Sequence, residues 1–285
     1  MNDTRPRPTL LAQCVAELIG TYLLVLFGCG VVHAAVLTGA QIGLWQVAIV
    51  WGIAIMLAIY VVGATSGAHI NPAMTVALAV WGKAPRSVVV PYVAAQFVGA
   101  FLAAATLYAL FGGFVAAREQ ERDITRGSPA SIVTAMCYGE YYPSPGGIAG
   151  QGETAILEAW SVATRRVPLS TAFTAEALGT AILALVVLAL TDDTNRGGPA
   201  DRFAPVFIGL TVSLLISVLA PLTQACFNPA RDWGPRVFAY LAGWGSAAIP
   251  GPNGMGSVVV YIAAPVIGAL IGAGIYERII KPGRS

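Results

Sequence analysis

Ionisable side chains are scarce in this 285-residue chain: Lys, Arg, Asp and Glu make up 11% of it, against roughly a quarter in soluble domains. With 56% apolar residues and a mean hydropathy of +0.72, it has too little polar surface for a water-soluble domain and reads as a membrane protein. No Asp, Glu, Lys or Arg lies between Glu17 and Lys83, nor between Arg236 and Glu277, so each interval can hold several spans. Histidine is rarer still, only His33 and His69. The cysteines Cys14, Cys29, Cys137 and Cys226 form no C-x-x-C pair and have no His at metal-ligand spacing. The sequence therefore offers no zinc site and no disulfide framework, and calls for no cofactor. A net charge of +2 makes no basic footprint, so nucleic acid is not an expected partner and the lipid bilayer is. The spans carry no paired carboxylates, Ser/His pair or metal cluster, which makes an intramembrane enzyme remote. After Arg5 and Arg7, the apolar stretch from about Thr9 to Leu37 is too long for a signal-peptide core and reads as a retained first span.

One short motif occurs twice. Asn71-Pro72-Ala73 follows Ser66-Gly67-Ala68-His69-Ile70, and Asn228-Pro229-Ala230 follows Gln224-Ala225-Cys226-Phe227. Each reads as a helix start, because an Asn side chain accepts from orphan N–H groups and a proline at the first helical position has no N–H to leave unsatisfied. The uncharged run 203–227 is long enough to cross a bilayer, so the second of these helices begins while the chain is still at membrane depth. The pattern predicts spans at roughly 10–36, 42–64, 87–112, 170–191, 203–222 and 256–276, with half-length helices at 71–81 and 228–240. Ala16-Glu17-Leu18-Ile19-Gly20-Thr21 matches Ala175-Glu176-Ala177-Leu178-Gly179-Thr180, and residues 94–104 match 263–273, so the chain is an internal repeat. Its expected units are a first repeat over 1–112, a connector over 113–169 and a second repeat over 170–285. With three spans each, the second copy is inverted relative to the first, and the half-helices enter from opposite faces with their N-termini meeting near the midplane.

Basic residues set the expected orientation. Arg5, Arg7, Lys83, Arg86, Arg196, Arg202, Arg278, Lys281 and Arg284 fall on one side, which makes both termini cytoplasmic. The connector runs against this rule, with Arg118, Arg122, Arg126, Arg165 and Arg166 among six acids; its Tyr141-to-Gly146 stretch suggests an irregular cap, with helical turns around Ile156 to Val162. Glu17 and Glu176 are the acids inside spans. Their matched positions favour a structural role, accepting hydrogen bonds from the non-helical backbone that leads into each half-helix. Gly268 and Gly272 read as close helix packing.

Both Asn-Pro-Ala motifs, the matched Ala-Glu pairs and their spacing resemble the major intrinsic protein family, the aquaporins and glycerol facilitators, over 10–280 apart from the connector. The resemblance implies an all-α fold of six tilted spans and two re-entrant half-helices around one pore per subunit, in a homotetramer, in a plasma or inner membrane. Proton and cation exclusion by opposed half-helix dipoles is the established behaviour of aquaporin-type pores and is applied here as such. By position, the family's narrow filter falls on Trp51, Ile216, Ala225 and Arg231. Gly67, Ala68, His69, Cys226 and Phe227 are expected along the lumen, with backbone carbonyls on one side. Asp232, Arg236 and Trp51 resemble glycerol facilitators, whereas Ile216 and Ala225 stand where those have Gly and Phe, and Tyr261-Ile262 resembles plant nodulin-like members. Water-selective members place His at the position of Ile216. The resemblance implies passive passage of small neutral solutes, glycerol and similar polyols with water. Water-dominant, ammonia or metalloid-acid channels of the same fold are the alternatives, and a secondary solute transporter is the rival from another class.

Overall fold

The computed structural model describes residues 8–40, 43–199 and 201–282; Arg5, Arg7 and Arg284 lie outside them. Among the described residues, six helices are long and apolar enough to cross a membrane. These are α1 (Leu10–His33, continued by a wide turn Ala34–Thr38), α2 (Leu44–Ser66), α4 (Val89–Glu121), α6 (Leu169–Leu190), α7 (Ala204–Thr223) and α9 (Gly256–Ile280, with wide turns at both ends). The half-length helices are α3 (Pro72–Val80) and α8 (Pro229–Ala239), and a connector helix, α5, covers Glu153–Thr164.

The packing repeats itself. α1 lies against α4 and α2, as α6 lies against α9 and α7. At the α1–α4 crossing, a Cβ on Gly99 would collide with the Leu18 carbonyl; at the α6–α9 crossing, Gly268 and Gly272 stand in the same relation to Ala177 and Ala181. Where α2 meets α7, Gly52 and Gly209 each face the other's carbonyl. Backbones this close leave room only for hydrogen at the contact. Each half-helix packs on the third span of the opposite repeat, α8 on α4 and α3 on α9, which ties the two repeats together.

One expectation needs correction. The third span does not end near 112: α4 continues to Glu121, so the connector begins later than the expected residue 113. Phe114 to Glu121 are competent helix formers, and an Arg118–Glu121 ion pair (3.0 Å) closes the last turn. The connector's charges also prove to be partly matched internally. Arg126 pairs with Glu119 (2.9 Å) and stacks 4.5 Å from the Trp244 ring centre. Tyr138, Tyr141 and Cys137 are buried with Trp244 in a second apolar cluster, which seats this segment as a cap over one end of the helix bundle.

Candidate functional site

The half-helices meet tip to tip. Asn71 Oδ1 caps α3 by accepting from the Ala73 N–H (2.9 Å), and Asn228 Oδ1 caps α8 by accepting from the N–H groups of Ala230 (3.1 Å) and Arg231 (3.3 Å). Their amide nitrogens cross over: Asn71 Nδ2 donates to the Phe227 carbonyl and Asn228 Nδ2 to the Ile70 carbonyl, both at 2.8 Å. Each amide thus commits one N–H to the opposite repeat and keeps one for the lumen.

The segments entering these tips cannot be helical. Ala68, Ile70, Gln224, Ala225 and Phe227 have positive φ, between 42° and 63°, although none is glycine. Such backbone costs on the order of 1–3 kcal/mol per residue and persists only where the surroundings enforce it. Glu17 and Glu176 do so. Glu17 accepts from the N–H groups of His69 (2.8 Å) and Ile70 (2.6 Å), from Ser66 Oγ (2.7 Å) and from Gln96 Nε2 (2.7 Å). Glu176 accepts from the N–H groups of Cys226 (2.9 Å) and Phe227 (2.8 Å) and from Thr223 Oγ1 (2.6 Å). With the N–H groups of His69 and Cys226 drawn to the carboxylates, and those of Ala68 and Ala225 to Ser66 Oγ (3.1 Å) and Thr223 Oγ1 (3.2 Å), these four residues present carbonyls that no donor among the described residues occupies.

Between these segments runs a cavity of about 130 Å³. Its wall includes Gly67, Ala68, His69, Asn71, Ala225, Cys226, Phe227 and Asn228, together with Trp51, Ile216 and Arg231. Pro72, Ala73, Pro229 and Ala230 lie behind the tips, buried as the first turns of α3 and α8. Phe227 contributes wall, while its ring packs over Gly179. His69 contacts Thr75 Oγ1 through Nδ1 (3.3 Å) and stands edge-on to Tyr92, and Cys226 Sγ donates to the Asn228 carbonyl (3.2 Å).

Arg231 is the charged group on the wall. Its guanidinium carbon lies 4.5 Å from the Trp51 ring centre, and Trp51 itself fits only because Gly28 has no side chain beneath it. Nη1 donates to the Tyr138 carbonyl (3.2 Å), and Nη2 is ion-paired with Glu140. Sequence reasoning misses both connector partners. Glu140 is fully buried; its backbone N–H donates to Asp232 Oδ1 (2.6 Å) and its carbonyl accepts from Arg236 Nη2. Asp232 and Arg236 form their own ion pair (2.9 Å), so Glu140, through its side chain on Arg231 and its backbone on this pair, ties the connector to α8. Burial pushes the Glu140 carboxyl up from its ordinary 4.5 to about 8, against the pull of Arg231. One signal could have exposed it: Glu140 is the single acid in an otherwise apolar and aromatic stretch, Cys137 to Pro145.

The family model described as major intrinsic protein matches residues 5–276. The chain is similar to a glycerol uptake facilitator protein of Pseudomonas aeruginosa, 40% identical over 98% of this chain and 92% of the relative. It is also similar to a propanediol uptake facilitator of Salmonella typhimurium, 39% identical over 98% of this chain and 96% of the relative. The aquaglyceroporin of Plasmodium falciparum, a solved structure 23% identical in sequence, superposes with a TM-score of 0.78 over 96% of this chain and 98% of its own.

Proposed function

This chain belongs to the major intrinsic protein family, and from that premise we propose that it is a passive pore for glycerol and similar small polyols, with water passing too. One observation carries the reading: the lumen lining combines hydrocarbon with fixed donors and acceptors. Trp51 and Ile216 present hydrocarbon, while Arg231, the Asn71 and Asn228 amides and the unoccupied carbonyls present donors and acceptors. A three-carbon polyol has the same division between its CH groups and its hydroxyls, so it can exchange water for wall contacts without leaving a polar group unpaired. Propanediol, named for one relative, suits the same walls, since its methyl group would meet Ile216.

Trp51, Ile216, Ala225 and Arg231 act as the selectivity filter in this reading, and the dipole ends of α3 and α8 exclude protons and cations. The two three-span repeats serve as the two halves of one pore, with the connector on the extracytoplasmic face and both termini in the cytoplasm. Four subunits assemble side by side, each with its own lumen. Reconstitution into liposomes tests the reading. Glycerol and water permeability should rise with no dependence on a proton or sodium gradient, and accumulation of solute above equilibrium would mean a coupled transporter instead.

A further inference from the structure

A second cavity, about 400 Å³ in volume, lies away from the lumen at the connector end of the bundle. It is bounded by the wide turn after α1, the start of α2, the last turn of α4 and the connector. Val36, Val47, Val133 and Met136 give it apolar walls, and Arg118 and Arg122 bring the charge. The two arginines are one helical turn apart and so share a face of α4. Each is engaged on one edge: Arg118 Nη1 with Glu121 Oε2 (3.0 Å) and Arg122 Nη2 with the Ile148 carbonyl (2.9 Å). The Nε of each is buried without a hydrogen-bond partner.

The position of the cavity says what could reach it. Leu110 and Phe114 precede Arg118 at the same four-residue spacing, and they are 65% and 52% exposed, as side chains facing acyl chains would be. Arg118 stands about 6 Å beyond Phe114 along the axis, at the rise of a helix. Trp45, next in sequence to Leu44 of the cavity wall, is 53% exposed, the placement of an interfacial aromatic. The paired guanidinium groups therefore sit where the hydrocarbon ends and phosphates begin.

We propose that this cavity binds the phosphodiester of an anionic phospholipid in the connector-side leaflet. The guanidinium N–H groups not engaged by Glu121 and the Ile148 carbonyl donate to non-bridging phosphate oxygens, and the upper acyl segment lies along Val36, Val47 and Met136. Planar guanidinium forks suit phosphate oxygens, and the apolar wall gives a lipid an advantage that inorganic phosphate lacks. The full-length protein, purified in detergent, should retain phosphatidylglycerol in native mass spectra and melt at a higher temperature when it is added. Arg118→Gln/Arg122→Gln should weaken that binding about 30-fold, since each juxtamembrane arginine contributes about a fivefold factor. Glycerol flux at the wild-type level would show that the variant folds. If it does not fold, Arg118→Gln alone, whose one partner is the solvent-facing Glu121, should still weaken binding about fivefold. Equal phosphatidylglycerol binding by wild type and variant would overturn the proposal. Inorganic phosphate producing the same thermal shift as the lipid would also overturn it, in favour of a free-anion site.

Discussion

Replacing Glu176 with Gln changes one atom of a side chain that touches no solute, and its consequence follows from the geometry. If the new NH2 occupies the Oε1 position, it faces the Cys226 N–H; if it occupies Oε2, it faces the Phe227 N–H. Thr223 can turn its hydroxyl to accept, but a backbone N–H cannot, so either orientation sets a buried donor against a donor. Losing a charged hydrogen bond and leaving the N–H unsatisfied together cost about 3–5 kcal/mol. That is comparable with the strain held in Gln224, Ala225 and Phe227 at about 1–3 kcal/mol each, so the segment no longer has enough to keep its left-handed backbone. Glu17→Gln meets the same dilemma at His69 and Ile70, so the two variants should behave alike. Both should melt at markedly lower temperature in detergent, and proteoliposomes at matched protein density should lose most of their glycerol and water permeability. Either variant with wild-type melting and permeability would show that the carboxylates do not hold the carbonyl wall in place.

Other perturbations probe the wall directly. Ile216→His puts a polar ring where CH groups are expected, a mismatch of about 1–2 kcal/mol, and should lower glycerol flux about tenfold while water flux persists; Ile216→Gly should raise glycerol flux, and stopped-flow light scattering reads both. Arg231→Val should admit larger polyols with little proton leak, because the α3 and α8 tips remain; unchanged solute preference would remove Arg231 from the filter. Glu140 loses its proton near pH 8, and its ionised form offsets the charge of Arg231, so wild-type glycerol flux should rise between about pH 6 and 9.5 while that of Glu140→Gln stays flat. A carboxyl raised in the folded state lends stability that is fully present below its ordinary 4.5 and lost as pH rises through about 8, so the melting temperature of wild type should fall relative to Glu140→Gln across that window. Mercurials should block flux through Cys226, and Cys226→Ser should abolish the block, because Cys29 and Cys137 are fully buried and Cys14, though partly exposed, is like them absent from the lumen wall.

The repeated parts of the site are legible in the sequence because their instructions are local. Asn-Pro fixes a helix start, an uncharged run fixes a span, and one Glu per repeat in an otherwise uncharged setting points to a backbone that needs an acceptor. The connector obeys no such local rule. Its cap forms because Tyr138 and Tyr141 find Trp244 and Ala247 more than a hundred residues away, and because Glu140 reaches Arg231, Asp232 and Arg236. Nothing in the period or spacing of residues 122–152 announces those partners. The third span likewise runs past the expected 112 to Glu121, where the Arg118–Glu121 ion pair closes its last turn.

The crossed bonds of Asn71 and Asn228 also constrain how the molecule comes into being. A ribosome exposes Asn71 long before Phe227 exists, so the amide that will clasp that carbonyl waits through the synthesis of three further spans. During that interval the first re-entrant segment has Glu17 to shape it but nothing to hold its tip, and α9, on which α3 rests, is also unmade. Symmetry makes the debt mutual: Asn228 arrives to find Ile70 already there, and both bonds close in the same event. The lumen is therefore assembled last and all at once, and a nascent chain offers the membrane no half-built hole through which to leak.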